Sequence, residues 1–121
     1  MRIFKNGWFS RFAEREAISD EELKTAAADI ENGRFDADLG GRVYKQRLAR
    51  SGGGKSSGYR VIVFFKSGAR TFFVYGFAKS DRDNISKAEL RSLKAEAKDS
   101  FALTESHIEA LLKSGTYKEI V

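Results

Sequence analysis

Residues 58–78 read GYRVIVFFKSGARTFFVYGFA. A run of β-branched and aromatic residues, 59–65, meets Lys66-Ser67-Gly68-Ala69, and a second such run, 71–77, follows. Two runs of this length and composition around a short turn signal predict a β-hairpin. The first run is almost continuously apolar, as a central strand requires. A two-residue turn at Ser67-Gly68 pairs Lys66 with Ala69. Counting back from there sets Arg60 opposite Tyr75, on one face of the sheet.

On the N-terminal side of the hairpin, Val43–Leu48 alternates, with Val43, Lys45 and Arg47 on one face and Tyr44, Gln46 and Leu48 on the other. Residues 51–58, SGGGKSSG, connect that strand to the hairpin as a loop. Residues 1–4 predict a short first strand. Trp8, Phe9 and Phe12 have the spacing of a helix ending near Ala17. Ser19-Asp20-Glu21-Glu22 is a capping-box sequence, and Leu23, Ala26, Ala27 and Ile30 form the apolar face of the helix it opens. Asn32-Gly33 stops that helix, so the two form a helical hairpin.

On the C-terminal side, Ser86-Lys87-Ala88-Glu89 is a second capping box, before a helix carrying Leu90, Leu93 and Ala97. Thr104 caps a last short helix with Ile108, Leu111 and Leu112, closed by Gly115. Residues 117–121 add an edge strand. The order βααβββαα predicts an α+β domain, an antiparallel sheet with helices on one face. The length of 121 residues fits one domain, with a core of about residues 1–100 and a C-terminal extension of about 101–121.

The net charge of +5 is unevenly spread. Residues 39–80 hold no Asp or Glu but nine cations: Arg42, Lys45, Arg47, Arg50, Lys55, Arg60, Lys66, Arg70 and Lys79. Ordinary solvated surfaces mix both signs. A one-sign block on strands points to a polyanion partner.

The chain has no Cys, which excludes disulfides, thiolate metal sites and Cys nucleophiles. It has one His, His107, read as a surface residue, and no Ser/His/Asp set. Asp81 and Asp83 are the acids nearest the basic strands and lie before a helix, where acids are common; no metal or other cofactor is expected. Gly54-Lys55-Ser56 resembles the end of a phosphate-binding loop, but Ala49 stands where the pattern needs Gly, and a strand follows instead of a helix. No apolar run approaches the ~20 residues of a membrane span. The charged start MRIFKNGWFSRF does not read as a signal peptide, so a cytoplasmic protein with no membrane contact is expected. Aromatic residues of strands are more often core than stacking platform. Tyr44, Tyr59 and Tyr75 are the better candidates for contact with bases, since their hydroxyls tolerate water.

Three segments carry a family resemblance: Tyr44-Lys45-Gln46-Arg47-Leu48, Gly58-Tyr59-Arg60-Val61, and Val74-Tyr75-Gly76-Phe77-Ala78-Lys79-Ser80. Together with the helical hairpin and the helix starting near Asn84, they resemble toxins of the RelE/ParE superfamily, RelE/HigB-like, over roughly residues 1–100. The resemblance implies a RelE-like α+β fold, with an N-terminal helical hairpin on an antiparallel sheet and additional C-terminal helices. It implies the toxin of a type II toxin–antitoxin system. Its partners would be a cognate antitoxin, encoded by an adjacent gene, and mRNA on the 70S ribosome.

The implied activity is a ribosome-dependent, metal-independent endoribonuclease, in which a 2′-hydroxyl attacks the neighbouring phosphate. By position, Lys45, Arg47, Arg60 and Lys79 match the family's basic residues. Ser80 stands where RelE often has Arg. The last helix departs from RelE, and Tyr75 is the nearest substitute for the family's Tyr. Arg42, Arg50, Lys55 and Tyr59 are further RNA contacts. The alternative is a ParE-like gyrase inhibitor or a basic binding module; the clustered strand bases favour RNA.

The chemistry of the residues agrees. Arg suits bidentate phosphate contact. Strand alternation sets Lys45 and Arg47 ~7 Å apart on one face, and crowded cations lower the pKa of a neighbouring Lys toward that of a base.

Overall fold

Side-chain oxygens start every helix. In the computed structural model, which describes residues 1–49 and 58–121, Asn6 ends strand β1 (Ile3–Asn6) and caps helix α1 (Gly7–Arg15). Its Oδ1 accepts from the Phe9 amide at 2.8 Å, while its Nδ2 donates to the Val74 carbonyl at 3.1 Å. Ser19 caps α2 (Asp20–Glu31) by accepting from the Glu22 amide. Ser86 and Glu89 form the full reciprocal box at α3 (Lys87–Phe101). At α4 (Glu105–Lys113) the reciprocal partner of Thr104 is His107, whose Nδ1 accepts from the Thr104 amide at 3.2 Å. The lone His is therefore a capping residue. Helix α1 ends two residues before Ala17, which takes φ +56° to turn the chain into α2.

The remaining strands are β2 (Ala37–Asp38), β3 (Val43–Leu48), β4 (Tyr59–Phe64), β5 (Thr71–Ala78) and β6 (Tyr117–Ile120). They form one sheet in the order β2-β3-β4-β5-β1-β6. Its pairs are antiparallel except β1 with β5, which is parallel. The edge strand near the C-terminus is present; β2 was not expected, because two residues carry no periodic signal.

The Ser67-Gly68 turn forms as read, with the Ala69 amide bonded to the Lys66 carbonyl at 3.0 Å. The register behind it does not run straight back. An irregularity between Ile62 and Val63 pairs Val63 with Phe73 but Ile62 with Tyr75. Arg60 is consequently opposite Phe77, not Tyr75. A bulge inserts one residue and re-aims the side chains beyond it. Here Tyr75 keeps the face of Arg60, two pairs away along the ladder.

The expectation of helices on one face is corrected. α1 and α2 cover one face through Phe9, Phe12, Leu23 and Ile30 against Val61, Val63 and Phe73. α3 and α4 cover the other through Ala97 and Ile108 against Phe4, Ile62, Phe64 and Phe72. The near-continuous apolar run of β4 is the cause: all six of its residues are buried, so each face needs a cover. Fully burying one such large apolar side chain stabilises by roughly 1.5–3 kcal/mol. Gly76 lets α1 approach β5, because a Cβ there would stand 2.7 Å from Cε2 of Phe12.

Candidate functional site

Period-two geometry brings the strand cations together. Lys45 and Arg47 share the α3-side face of β3, opposite Ile62 and Arg60 of β4. Arg47 thus faces Arg60 directly, an arrangement that is unfavourable unless an anion intervenes. Asp36 is that anion. It enters from the segment before β2, where its amide bonds the Lys45 carbonyl at 3.0 Å. Its Oδ1 accepts from Arg47 Nε at 2.8 Å, and its Oδ2 lies 3.5 Å from Lys45 Nζ and 3.6 Å from Arg60 Nε.

The reading of residues 39–80 as a block without acids holds for the chain but not for the folded cluster. Asp36 lies just outside that window, and the expectation that Asp81 and Asp83 are the nearest acids is corrected. The only sequence signal for it was its position three residues before the window. Burial pushes the Asp36 carboxyl up, but the Arg47 hydrogen bond and the charges of Lys45, Arg47 and Arg60 hold it, on balance, below the ordinary value. The cluster is therefore three cations gathered on one shared carboxylate, still positive overall, and not a bare crowd of them. Arg60 is its deepest member, with a side chain 6% exposed against 48% for Arg47.

A second group adjoins through β5. Arg82, which the sequence reading did not single out, donates to the Tyr75 hydroxyl at 3.2 Å and to the Asn84 carbonyl at 2.9 Å. Its guanidinium lies 5.3 Å from the Phe77 ring centroid, a cation–π contact, and forks onto both oxygens of Glu89 at 2.6 and 3.2 Å. Arg82 stands two residues after Ser80, the position at which the family pattern has Arg. Asn84 links the two groups, accepting from Lys45 Nζ at 3.4 Å. Tyr75 is half-buried, its ring 4.6 Å from that of Trp8. Lys79 is held by Asp83 at 3.4 Å.

The other expected residues are not brought to this cluster. Tyr59 is 5% exposed, packs in the core beneath the helical hairpin, and donates its hydroxyl to Glu16 at 2.9 Å. Tyr44 lies on that same face, packed against Phe35 and Phe65. Arg42 is exposed in the turn before β3 with φ +70°. Arg50 and Lys55, with the glycine-rich segment, fall outside the described residues. Among the described residues no group of three or more His, Asp or Glu is arranged to hold a metal ion, and no helix is long and apolar enough to cross a membrane.

The Arg82–Glu89 pair has a pH consequence. The Arg82 hydrogen bonds, then those from Ser86, lower the Glu89 carboxyl from 4.5 to about 2. A carboxyl lowered on folding adds stability above its unfolded value and loses it as pH falls toward the folded one. Glu89 is partly exposed, so solvent screens the effect. The wild type is expected to melt lower as pH drops from 4.5 to 2, and Glu89→Gln to show a shallower drop over the same window. Parallel melting curves that stay a constant distance apart would refute this.

What the cluster offers chemically is a set of guanidinium and ammonium groups for a phosphate, beside a phenol. A search of curated proteins found no match for this chain. The family model described as the RelE toxin of the RelE/RelB toxin–antitoxin system matches residues 1–120, a span that includes α4 and β6. With its α+β architecture and the GYR strand entering the sheet centre, the chain belongs to the RelE family and is a toxin of a toxin–antitoxin system, which implies a cognate antitoxin.

Proposed function

We propose that this toxin is an endoribonuclease that cuts mRNA on the ribosome. The observation that carries the reading is the convergence of Lys45, Arg47 and Arg60 on one sheet face beside the Tyr75–Arg82 pair. In this reaction a 2′-hydroxyl attacks the adjacent phosphorus. The bond to the 5′-oxygen of the next nucleotide breaks, leaving a 2′,3′-cyclic phosphate and a 5′-hydroxyl. Arg60 and Arg47 stabilise the negative charge that grows on the phosphoryl oxygens. Lys45 and Lys79 transfer the protons. Tyr75 borders the scissile nucleotide, and Arg82 adds a cation where the family's Arg is replaced by Ser80. Arg42, Arg50 and Lys55 contribute backbone contacts that position the strand without reading its sequence. An antitoxin segment with Asp or Glu would cover the cluster, its charge complementarity speeding association.

The test is to add the purified chain to translating ribosomes and map mRNA ends. Shortened mRNA with 2′,3′-cyclic or 3′-phosphate ends is the expected result. Products with 3′-hydroxyl ends would overturn the mechanism. Intact mRNA together with stalled gyrase–DNA complexes would overturn the assignment to RNA.

A further inference from the structure

Helix α3 carries Lys87, Arg91, Lys94 and Lys98, all exposed. Their spacing of four, three and four residues confines them to one arc of roughly 60° at 3.6 residues per turn. Eleven residues at 1.5 Å each make the stripe about 16 Å long. The acids of the helix stand elsewhere on its circumference. Glu89 and Glu96, with Ser92, line the opposite flank, facing Trp8 and Tyr75 across a groove.

The stripe begins beside the cluster, since Asn84, which accepts from Lys45, lies three residues before Lys87. It then passes the β2–β3 turn. A Cβ at Gly41, whose φ is +60°, would stand 2.9 Å from Cγ of Lys94, so this glycine lets the Lys94 stem lie on the turn, next to exposed Arg42.

The state of these charges differs from that of the cluster. Lys45, Arg47, Arg60, Lys79 and Arg82 each have a carboxylate partner within 4 Å. Among the described residues Lys87, Arg91, Lys94 and Lys98 form no ion pair. A solvated helix surface ordinarily interleaves both signs. Four unpaired cations in line, with no acid inside their arc, match a row of phosphates. The arc carries no aromatic side chain, whereas single-strand recognition uses aromatic stacking. Double-helical RNA is held through backbone and shape.

We propose that the Lys87–Arg91–Lys94–Lys98 stripe of α3 docks the phosphate backbone of double-helical RNA, as a surface separate from the cleavage cluster. Its choice of RNA over DNA rests on the function proposed above; the charge geometry does not.

The probe is a blunt RNA duplex of about 16 base pairs, with binding followed by fluorescence anisotropy. Four phosphate contacts give a log–log salt slope of about 3–4, so raising salt from about 50 to 200 mM should weaken wild-type binding roughly 100-fold through the stripe. The variant with Lys87, Arg91, Lys94 and Lys98 all changed to Gln is expected to lose that part of the slope. A Lys87→Gln/Arg91→Gln variant, clear of the Gly41 contact, should lose half of it and keeps the test open if the fourfold variant fails to fold. A comparison variant changes exposed Arg11, Arg15, Lys113 and Lys118 to Gln and should keep the wild-type slope. Unchanged slopes in the stripe variants would overturn the inference, as would an equal loss in the comparison variant. Equal affinity for a DNA duplex would remove RNA as the partner. Stripe-dependent duplex binding without mRNA cleavage would count against the proposed function alone, and cleavage without stripe-dependent binding against the stripe alone.

Discussion

Arg60→Ala is expected to lower mRNA cleavage about 10³-fold, the scale on which removal of a charge-stabilising donor acts, and more than any other single substitution in the cluster. Arg60 projects from the central strand between Arg47 and Phe77, with its side chain 6% exposed, so its rotamer is held by packing and by Asp36. A preorganised fork loses little on meeting a phosphate. Asp36 keeps Arg47 at 2.8 Å and Lys45 at 3.5 Å when Arg60 is gone, so the fold should survive the change. Arg60→Lys restores charge but not the planar fork and should recover little activity.

The measurement is single-turnover cleavage, with ribosome binding and circular dichroism alongside. Lys45→Ala and Lys79→Ala should each cost about 10²-fold, the low end for a proton-transfer group and less than Arg60→Ala, and Arg47→Ala should lose charge stabilisation. Lys55→Ala should change mainly the salt dependence. A dead Lys55→Ala beside normal Arg60→Ala and Lys79→Ala would move the active site into the glycine-rich segment.

Asp36→Asn should be the most damaging single change to stability among the site residues, at about 3 kcal/mol. Removing one partner of a nearly buried charge group leaves the others uncompensated, which costs about 3–5 kcal/mol. The low end applies because Arg47 is half-exposed while Asp36, Lys45 and Arg60 are 11, 15 and 6% exposed. Urea denaturation at pH 7 should show a lower midpoint with an unchanged slope.

The sign with pH comes from the lowered Asp36 carboxyl. Its contribution is complete above the ordinary value of 3.8 and declines as pH falls below it, so the two proteins should converge in acid. Equal stability at pH 7, or a gap that persists unchanged in strong acid, would sink this account of the cluster.

Much of the architecture was legible one element at a time. The caps at Ser19, Ser86 and Thr104 act over three residues, and each starts its helix where it was read. The alternation of β3 put Lys45 and Arg47 on one face, and the Ser67-Gly68 turn formed, because both depend on backbone geometry within a few residues. The family resemblance rested on those same strand segments. The hairpin register failed two pairs from Arg60, since the irregularity at Ile62/Val63 answers to packing on both faces and has no local signature.

By itself the sequence determined the elements other than β2, the cationic character of the middle strands and which of their side chains share a face. Each is set by short-range periodicity and capping chemistry. Only the tertiary structure decided that β1 lies between β5 and β6, that helices cover both faces, that Asp36 enters the cation cluster and that Arg82 joins Tyr75, Phe77 and Glu89. β1 meets residues about 70 positions away, and Asp36 meets Arg60 from 24 positions away. Contacts at such separations are chosen by the burial of whole faces and the pairing of buried charges, to which no local pattern corresponds.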